Sequence, residues 1–204
     1  IAGPGRVHPR AARRGIPVVG DIELFARAAK APIVAVTGTN GKSTVTTLVA
    51  LMTQATGRNA LAGGNLGPPA LELLDQPVPD YYVLELSSYQ LETTMSLVTT
   101  TAAVLNVTPD HMDRYDSLAD YAAAKARVFA GAGAAVINLD DPIVRAMPKA
   151  GQRVLGFSLD VPADFSLGNK ARDPMLLRFG KPLVAMSELK IAGLHNAANA
   201  LAAF

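Results

Sequence analysis

A mostly parallel α/β sheet flanked by helices, P-loop NTPase-like, is the fold this sequence predicts, and three observations predict it. Apolar runs alternate with helical stretches along most of the chain, the order that parallel strands and their crossover helices require. Several runs, "PIVAVTG", "YYVLEL" and "AAVINL", are apolar without alternation, as strands buried on both faces must be. The first of them leads through "GTNGKST" into a helical stretch, the strand, turn and helix of a phosphate-binding loop.

The elements follow in order. "PIVAVTG" (32–38) is the first buried strand, and "STVTTLVALMTQATG" after it is a helix closed by Gly57. "YYVLEL" (81–86) and "TAAVLNV" (101–107) are the next two strands. The helix "LADYAAAKARVFA" is opened by Ser117 with Asp120 three residues later, the spacing of a capping box. "AAVINL" (134–139) is another strand, after which Asp140, Asp141 and Pro142 start a short helix. Beyond "RVLGFSL" (153–159) the texture changes. "MLLRFGKPLVAM" predicts a hairpin turning at Gly180-Lys181, hence a small antiparallel element beside the main sheet. No internal repeat and no low-complexity linker interrupts the chain.

Half of the 204 residues are apolar and 18% are charged, the composition of a globular chain able to bury a sizeable core. A net charge of +2 is too mild to point to nucleic acid. The basic cluster of Arg6, Arg10, Arg13 and Arg14 reads as a solvated edge, so no nucleic-acid partner is expected. Absence of cysteine excludes a disulfide framework and thiolate chemistry, and fits a reducing compartment. No apolar run approaches the roughly 18 residues that span a bilayer, and the opening "IAGPGRVHPRAARRG" lacks the apolar core of a signal peptide. The expectation is a cytoplasmic protein without membrane insertion. The chain does not begin with Met, and "HNAANALAAF" stops inside a helical stretch, so both ends read as cuts in something longer.

The loop "GTNGKST" supplies an anion cradle, a lysine and two hydroxyls in succession. Gly38 and Gly41 let backbone N–H groups approach an anion, and the helix beginning near Ser43 points its positive end at the same place. Lys42 reaches the outer phosphates, and the Ser43 hydroxyl ligates a phosphate-bound Mg²⁺. The usual pattern has a glycine five residues before the second one, where this sequence has Val36. Gly38, Thr39, Asn40, Gly41, Lys42, Ser43 and Thr44 are the candidate ATP-binding residues. The bland alternative is a glycine turn that only joins strand to helix.

Glu85 ends an otherwise apolar strand, at the sheet edge where ligands of open α/β sheets collect. A carboxylate there is costly unless it meets a cation, so Mg²⁺ suits it; the alternative is a glutamate solvated at the strand end. His111 follows "TAAVLNV" by a short loop at the same edge. It carries little by itself, because Mg²⁺ prefers oxygen to imidazole. Lys125, mid-helix in "YAAAKARVF", reads by position as an ordinary surface lysine.

Taken together, "GTNGKST", "GGNLG", "LELSSYQLETT", "LNVTPDHMDRY", "AAKARVF" and "GLHNAANALAAF" resemble the central ATPase domain of the Mur ligases. The resemblance runs from about residue 20 to the last residue, leaving 1–19 as a tail or linker from a preceding uridine-binding domain, with the C-terminal amino-acid-binding domain absent. "GTNGKST" is shared with folylpolyglutamate synthases, whereas "LELSSYQLETT" with "DHMDRY" is similar to the branch that adds glutamate to UDP-N-acetylmuramoyl-L-alanine. The resemblance implies an ATP-dependent amide ligase acting through an acyl phosphate, with two Mg²⁺ ions (Mn²⁺ as a substitute), those two substrates as partners, and a monomer. It implies that Glu85 and Ser43 hold one Mg²⁺. It also implies that His111 lies by a second metal and the substrate, and that Lys125 is carbamoylated to support that metal. Lys42, His111 and Lys125 are then the catalytic candidates. Asn65, Ser87, Gln90 and His111 face the substrate, and Asn196 and Asn199 help hold the adenine nucleotide. Capping of the last helix by Asn196 is the reading from sequence alone. Two other classes remain: a different Mur or folylpolyglutamate synthase-like ligase, and a P-loop regulator without ligase chemistry.

Overall fold

The computed structural model describes residue 11, residues 13–168 and residues 173–204. The strands are β1 (Ile33–Thr37), β2 (Ala60–Gly64), β3 (Tyr81–Glu85), β4 (Thr101–Val104), β5 (Ala135–Asn138), β6 (Val154–Ser158), β7 (Phe165–Leu167), β8 (Met175–Arg178) and β9 (Lys181–Ala185). Around them lie α1 (Asp21–Ala28), α2 (Lys42–Ala55), α3 (Ser88–Glu92), α4 (Leu118–Ala126), α5 (Pro142–Arg145) and α6 (Leu194–Ala203). Among the described residues the strands form one nine-stranded sheet in the order β2-β3-β1-β4-β5-β6-β7-β8-β9. Pairing is parallel from β2 to β7 and antiparallel through β8 and β9. The chain leaves β1 toward β2 and β3 on one side, then crosses to β4 on the other. The reversal leaves a crevice at the carboxyl end of β1, where open α/β sheets bind ligands.

The unbroken apolar runs have a direct structural counterpart. Side chains alternate across a strand, and here neighbours in sequence enter opposite cores. Ala35, Leu84, Val104 and Ile137 join Ile22, Phe25 and Tyr121 under one face. Val36, Ala103, Leu105 and Val136 join Val45, Phe157 and Leu201 under the other. Both faces are covered, so neither set can be polar. Phe25 and Tyr82 meet edge to face at 5.0 Å between ring centres, seating α1 on the first layer.

Four readings from sequence need correction. The antiparallel element is not a separate piece: β7 pairs in parallel with β6 and receives β8 on its other edge, so the hairpin extends the main sheet. Its turn is Phe179-Gly180, both at positive φ of 49° and 73°, with Lys181 already in β9; this handedness matches the twist of paired strands. At α4 the Asp120 N–H donates to Ser117 Oγ at 3.1 Å, but the Asp120 carboxylate takes the Ser117 hydroxyl rather than its N–H, so the box closes only halfway. A reciprocal capping box does occur at α3, where Ser87 and Gln90 satisfy each other. Finally, α6 is capped by Gly193, not by Asn196, which sits in the first turn and donates to the Ala192 carbonyl at 2.8 Å.

Strands β2 and β7 and helices α1 and α3 had no counterpart in the sequence reading; "ALAGG" is too short and too glycine-rich to stand out, and "FSL" is only three residues. Arg6 and Arg10 lie outside the described residues, while Arg13 and Arg14 are exposed. No helix among the described residues is long and apolar enough to cross a membrane.

Candidate active site

The loop between β1 and α2 is built by its glycines and held by its neighbours. Gly41, the N-cap of α2, has φ +85°, which a side chain rarely adopts. A Cβ there would also stand 2.4 Å from Asn199 Oδ1 on α6. From the other side the Asn40 N–H donates to Asn106 Oδ1 at 2.8 Å, and Asn106 Nδ2 donates back to the Asn40 carbonyl at 3.0 Å. The Thr39 N–H donates to the Asn106 carbonyl at 2.9 Å. Helix α2 starts without a side-chain cap and without an acidic residue in its first turn. Its first N–H groups and positive dipole end therefore remain available to an anion.

Two lysines enter this loop. Lys42 Nζ donates to the carbonyls of Gly38 and Thr39 at 3.0 and 2.8 Å. Lys125 Nζ donates to the same Gly38 carbonyl at 2.9 Å and lies 4.4 Å from the centre of the Tyr121 ring. Lys125 is only 2% exposed, because α4 turns the face bearing Tyr121, Ala122 and Lys125 to the interior. The expectation of a surface lysine is thus wrong. Burial, followed by the positive charge of Lys42, pulls the Lys125 ammonium down to about 7. Burial also lowers the Lys42 ammonium, with Glu85 opposing.

Glu85, 2% exposed, receives the Ser43 hydroxyl on Oε2 at 2.8 Å and the Asn65 amide on Oε1 at 2.7 Å. The register of β2 against β3 puts Gly64 opposite Glu85. Gly64 has φ +106°, and a Cβ there would stand 2.4 Å from the Glu85 carbonyl. The glycine lets the chain turn tightly enough for Asn65 to double back onto the carboxylate. The structure therefore joins Ser43, Asn65 and Glu85 into one cluster from three separate parts of the sequence.

A divalent cation fits this cluster. Both hydrogen-bond partners of the buried carboxylate are neutral, and the neighbouring Lys42 ammonium is bonded elsewhere. Among the described residues no three His, Cys, Asp or Glu side chains converge as a metal cage. One carboxylate and one hydroxyl suit Mg²⁺, which keeps several waters and phosphate oxygens.

The remaining candidates fall around this centre. His111, at φ +55°, is half exposed, 3.5 Å from the Asp110 carboxylate and within ring contact of Tyr89 and Tyr121; it makes no hydrogen bond to Glu85 or Ser43. Ser87 and Gln90 sit just past Glu85 but spend their polar groups on the α3 cap and on Asp21. Asn199 Nδ2 donates to Asn196 Oδ1 at 3.1 Å, and both line a cavity of about 410 Å³ with Asn40, Asn106, Asn138 and His195. Thr44 and Gly41 also border it. The cavity is of the size that binds small ligands and adjoins the anion loop. Asn106, Asn138 and His195 escaped the sequence reading. Both Asn106 and Asn138 stand at the carboxyl ends of strands, which was the available signal.

Comparison with known proteins places this architecture. Residues 36–204 match the family described as Mur ligase middle domain. A UDP-N-acetylmuramoylalanine--D-glutamate ligase of Nitrosococcus oceani is 54% identical over 192 residues, covering 93% of this chain and 42% of the relative. The ligase of that description from Escherichia coli K12 is 49% identical over 209 residues, covering 100% of this chain and 47% of its own length. This chain thus spans less than half the length of these curated relatives. Among solved structures, a UDP-N-acetylmuramoyl-L-alanyl-D-glutamate--2,6-diaminopimelate ligase superposes with a TM-score of 0.72 at 25% identity, over 96% of this chain and 44% of that one. A MurF ligase from Thermotoga maritima in complex with ADP shares the fold, with a TM-score of 0.69 at 18% identity over 89% of this chain and 46% of that one. The family match begins inside β1 and runs to the last residue, taking in the phosphate loop, Glu85, Lys125 and the asparagines of α6, and the chain belongs to the Mur ligase family as its middle domain.

Proposed function

We propose that the intact protein is an ATP-dependent ligase that joins D-glutamate to UDP-N-acetylmuramoyl-L-alanine in peptidoglycan precursor synthesis. The observation that carries it is the Ser43–Glu85 hydrogen bond of 2.8 Å, directly beside Lys42 in the β1–α2 loop. An uncapped helix start, the Lys42 ammonium and a buried carboxylate meet there, the set that phosphoryl transfer needs. Such transfer demands positioning and charge neutralisation more than covalent help. The curated relatives at 54% and 49% identity carry the name of that reaction.

The residues divide the work as follows. The loop from Gly38 to Thr44 holds the ATP phosphates through the uncapped N–H groups at the start of α2, while Asn106 engages the Thr39 and Asn40 N–H groups and fixes the loop's shape. Lys42 leaves the carbonyls of Gly38 and Thr39 for the outer phosphate. Adenine enters the cavity lined by Asn196 and Asn199. Ser43 and Glu85 would hold a Mg²⁺ ion, which would neutralise phosphate charge when bound. Asn65 fixes the second oxygen of Glu85 and, with Ser87, Gln90 and His111, faces the muramoyl substrate. The substrate carboxylate takes the terminal phosphoryl group of ATP, giving an acyl phosphate and ADP. The glutamate nitrogen then attacks the acyl carbon, an amide forms, and phosphate leaves with loss of a proton from nitrogen.

Lys125, held near neutrality, is suited to become a carbamate. Its free amine, formed when the ammonium gives a proton to solvent, attacks CO₂; an N–C bond forms and a second proton goes to solvent, leaving an anionic oxygen donor in place of a cation. With His111 it would then support a second cation. Recognition of uridine diphosphate and of glutamate is assigned to parts of the intact protein outside these 204 residues, so this piece by itself binds nucleotide without ligating. A cytoplasmic, monomeric enzyme is the setting we infer, where ATP and both substrates are at hand.

The test uses the intact protein with ATP, Mg²⁺ and UDP-N-acetylmuramoyl-L-alanine. Phosphate release is recorded with D-glutamate, L-glutamate, lysine or no amino acid. Release only with D-glutamate supports the reading, and release only with L-glutamate would keep the ligase chemistry but overturn the assigned acceptor. ATP binding without release under any condition would sink it, leaving a nucleotide-binding regulator.

A further inference from the structure

Helix α1 touches α3 and the turn after it at three successive points. The Gly20 N–H points at the Thr93 carbonyl at 3.4 Å, and a Cβ on Gly20 would stand 2.4 Å from the Thr93 hydroxyl. Asp21 Oδ2 accepts from Gln90 Nε2 at 3.1 Å. Glu23 accepts from the N–H groups of Met95 and Ser96 at 2.7 and 2.9 Å. From the opposite side Arg127 donates to the carbonyls of Leu91 and Thr94 at 2.8 and 3.0 Å. A helix of five residues cannot hold its own shape in water. These contacts fix it, together with the polar groups it carries beside Glu85.

The Asp21 contact does something the others do not. A glutamine side chain has an acceptor on one side and an NH₂ on the other, in nearly the same shape. A carboxylate only accepts, so Asp21 selects the NH₂ side. Gln90 Oε1 must then face Ser87, where it accepts from the Ser87 N–H at 3.1 Å and from its hydroxyl at 3.3 Å. The Gln90 N–H in turn donates to Ser87 Oγ at 3.2 Å. The hydroxyl hydrogen of half-buried Ser87 is committed to Gln90, so the oxygen is left to act as an acceptor two residues beyond Glu85. A reversed amide would set NH₂ against the Ser87 N–H, break the half of the capping box made by Gln90 Oε1 and turn the hydroxyl hydrogen outward.

We infer that Asp21 is a positioning residue for the substrate side of the site: by fixing which side of the Gln90 amide meets Ser87, it sets the hydrogen-bonding polarity offered to the muramoyl substrate. The inference deepens the ligase reading and rests on it. Asp21 is remote in sequence from every motif of the site and reaches the substrate only through two other side chains.

The experiment compares Asp21→Ala and Asp21→Asn with the parent in the intact protein. Asp21→Ala should raise KM for UDP-N-acetylmuramoyl-L-alanine about tenfold, the effect of one hydrogen bond to a charged group. KM for ATP should stay within about twofold. Asp21→Asn offers Gln90 either an oxygen or an NH₂, so it keeps a contact but no longer selects one side of the amide, and should restore the loss only in part. An unchanged substrate KM in Asp21→Ala would overturn the inference. So would parallel changes in both KM values with a lower thermal midpoint, which would mark a merely structural role. A second readout is the Gln90 side-chain NH₂ signal in glutamine-labelled protein. Its hydrogen exchange should be slowed in the parent and fast in Asp21→Ala, and equal exchange in the two refutes the contact's role. That signal needs no turnover. If the parent releases no phosphate with any acceptor, the ligase reading fails, and the Gln90 signal still decides whether Asp21 orients the amide.

Discussion

Lys42 and Lys125 donate to one oxygen, the Gly38 carbonyl, at 3.0 and 2.9 Å. Two ammonium groups on a single carbonyl repel each other, and the more buried one yields. A phosphate in the loop would give Lys42 a charged partner and leave Gly38 to Lys125. The arrangement links the anion cradle to the one buried lysine that α4 supplies.

Stability should therefore rise with pH over a defined window. The folded Lys125 ammonium releases its proton near 7, against an ordinary value of 10.5. Between these values the unfolded chain binds more protons than the folded one, so raising the pH favours the fold. The gain is complete above about 10.5 and absent below about 7. Urea midpoints at several pH values should show this slope in the parent and a flatter one in Lys125→Met. Parallel profiles would mean another group is responsible.

Removing the loop lysine should act on nucleotide binding rather than on folding. Lys42→Ala deletes the ammonium that would meet the outer phosphate, a charge-assisted contact of about 1.5–3 kcal/mol. Calorimetry of the intact protein with ATP and Mg²⁺ should show Kd raised between about tenfold and a hundredfold, with the thermal midpoint little changed. An unaltered Kd would place the phosphates elsewhere.

Gly41→Ala tests the loop itself. The positive φ of 85° costs roughly 1–2 kcal/mol for any side chain, and the new Cβ would collide with Asn199 Oδ1. Chemical denaturation should show a loss of at least that size. In the double variant with Asn199→Ala the collision is relieved but the backbone strain persists, so about 1 kcal/mol should remain. Full recovery would show that the backbone conformation costs nothing.

Glu23 makes a separate prediction at the acid end. The N–H groups of Met95 and Ser96, with smaller help from Arg27 and the Ser96 hydroxyl, hold its carboxyl down at about 2 against an ordinary 4.5. A depressed carboxylate contributes stability that is present above about 4.5 and lost as pH falls toward 2. Glu23→Gln leaves the two N–H groups facing a weaker acceptor and should cost about 2 kcal/mol at neutral pH. The difference from the parent should shrink below pH 4, as followed by urea midpoints. A constant difference down to the lowest pH would contradict it.

Much of the site was legible where chemistry and spacing are local. "GTNGKST" names its own turn, lysine and hydroxyl, and Glu85 announces itself as a carboxylate ending an apolar strand. Lys125 was the opposite case. Its helix shows only weak amphipathic spacing, and nothing nearby in sequence says that Tyr121 and Lys125 face inward. The roles read onto Ser87 and Gln90 were also incomplete, since the capping box and the Asp21 contact appear only when α1 docks on α3.

By itself the sequence determined the long apolar strands, the anion loop and the edge of the sheet on which the site lies. Those follow from apolar periodicity and from glycines within one short segment. The tertiary structure alone decided which side chains meet there. Gly64 stands opposite Glu85 because β2 and β3 pair in that register. Asn199 packs on Gly41, and Lys125 reaches Gly38, because α6 and α4 cover opposite faces of the sheet. Each of these contacts joins residues far apart along the chain, and its geometry is set by packing both faces of one sheet, which no local pattern encodes.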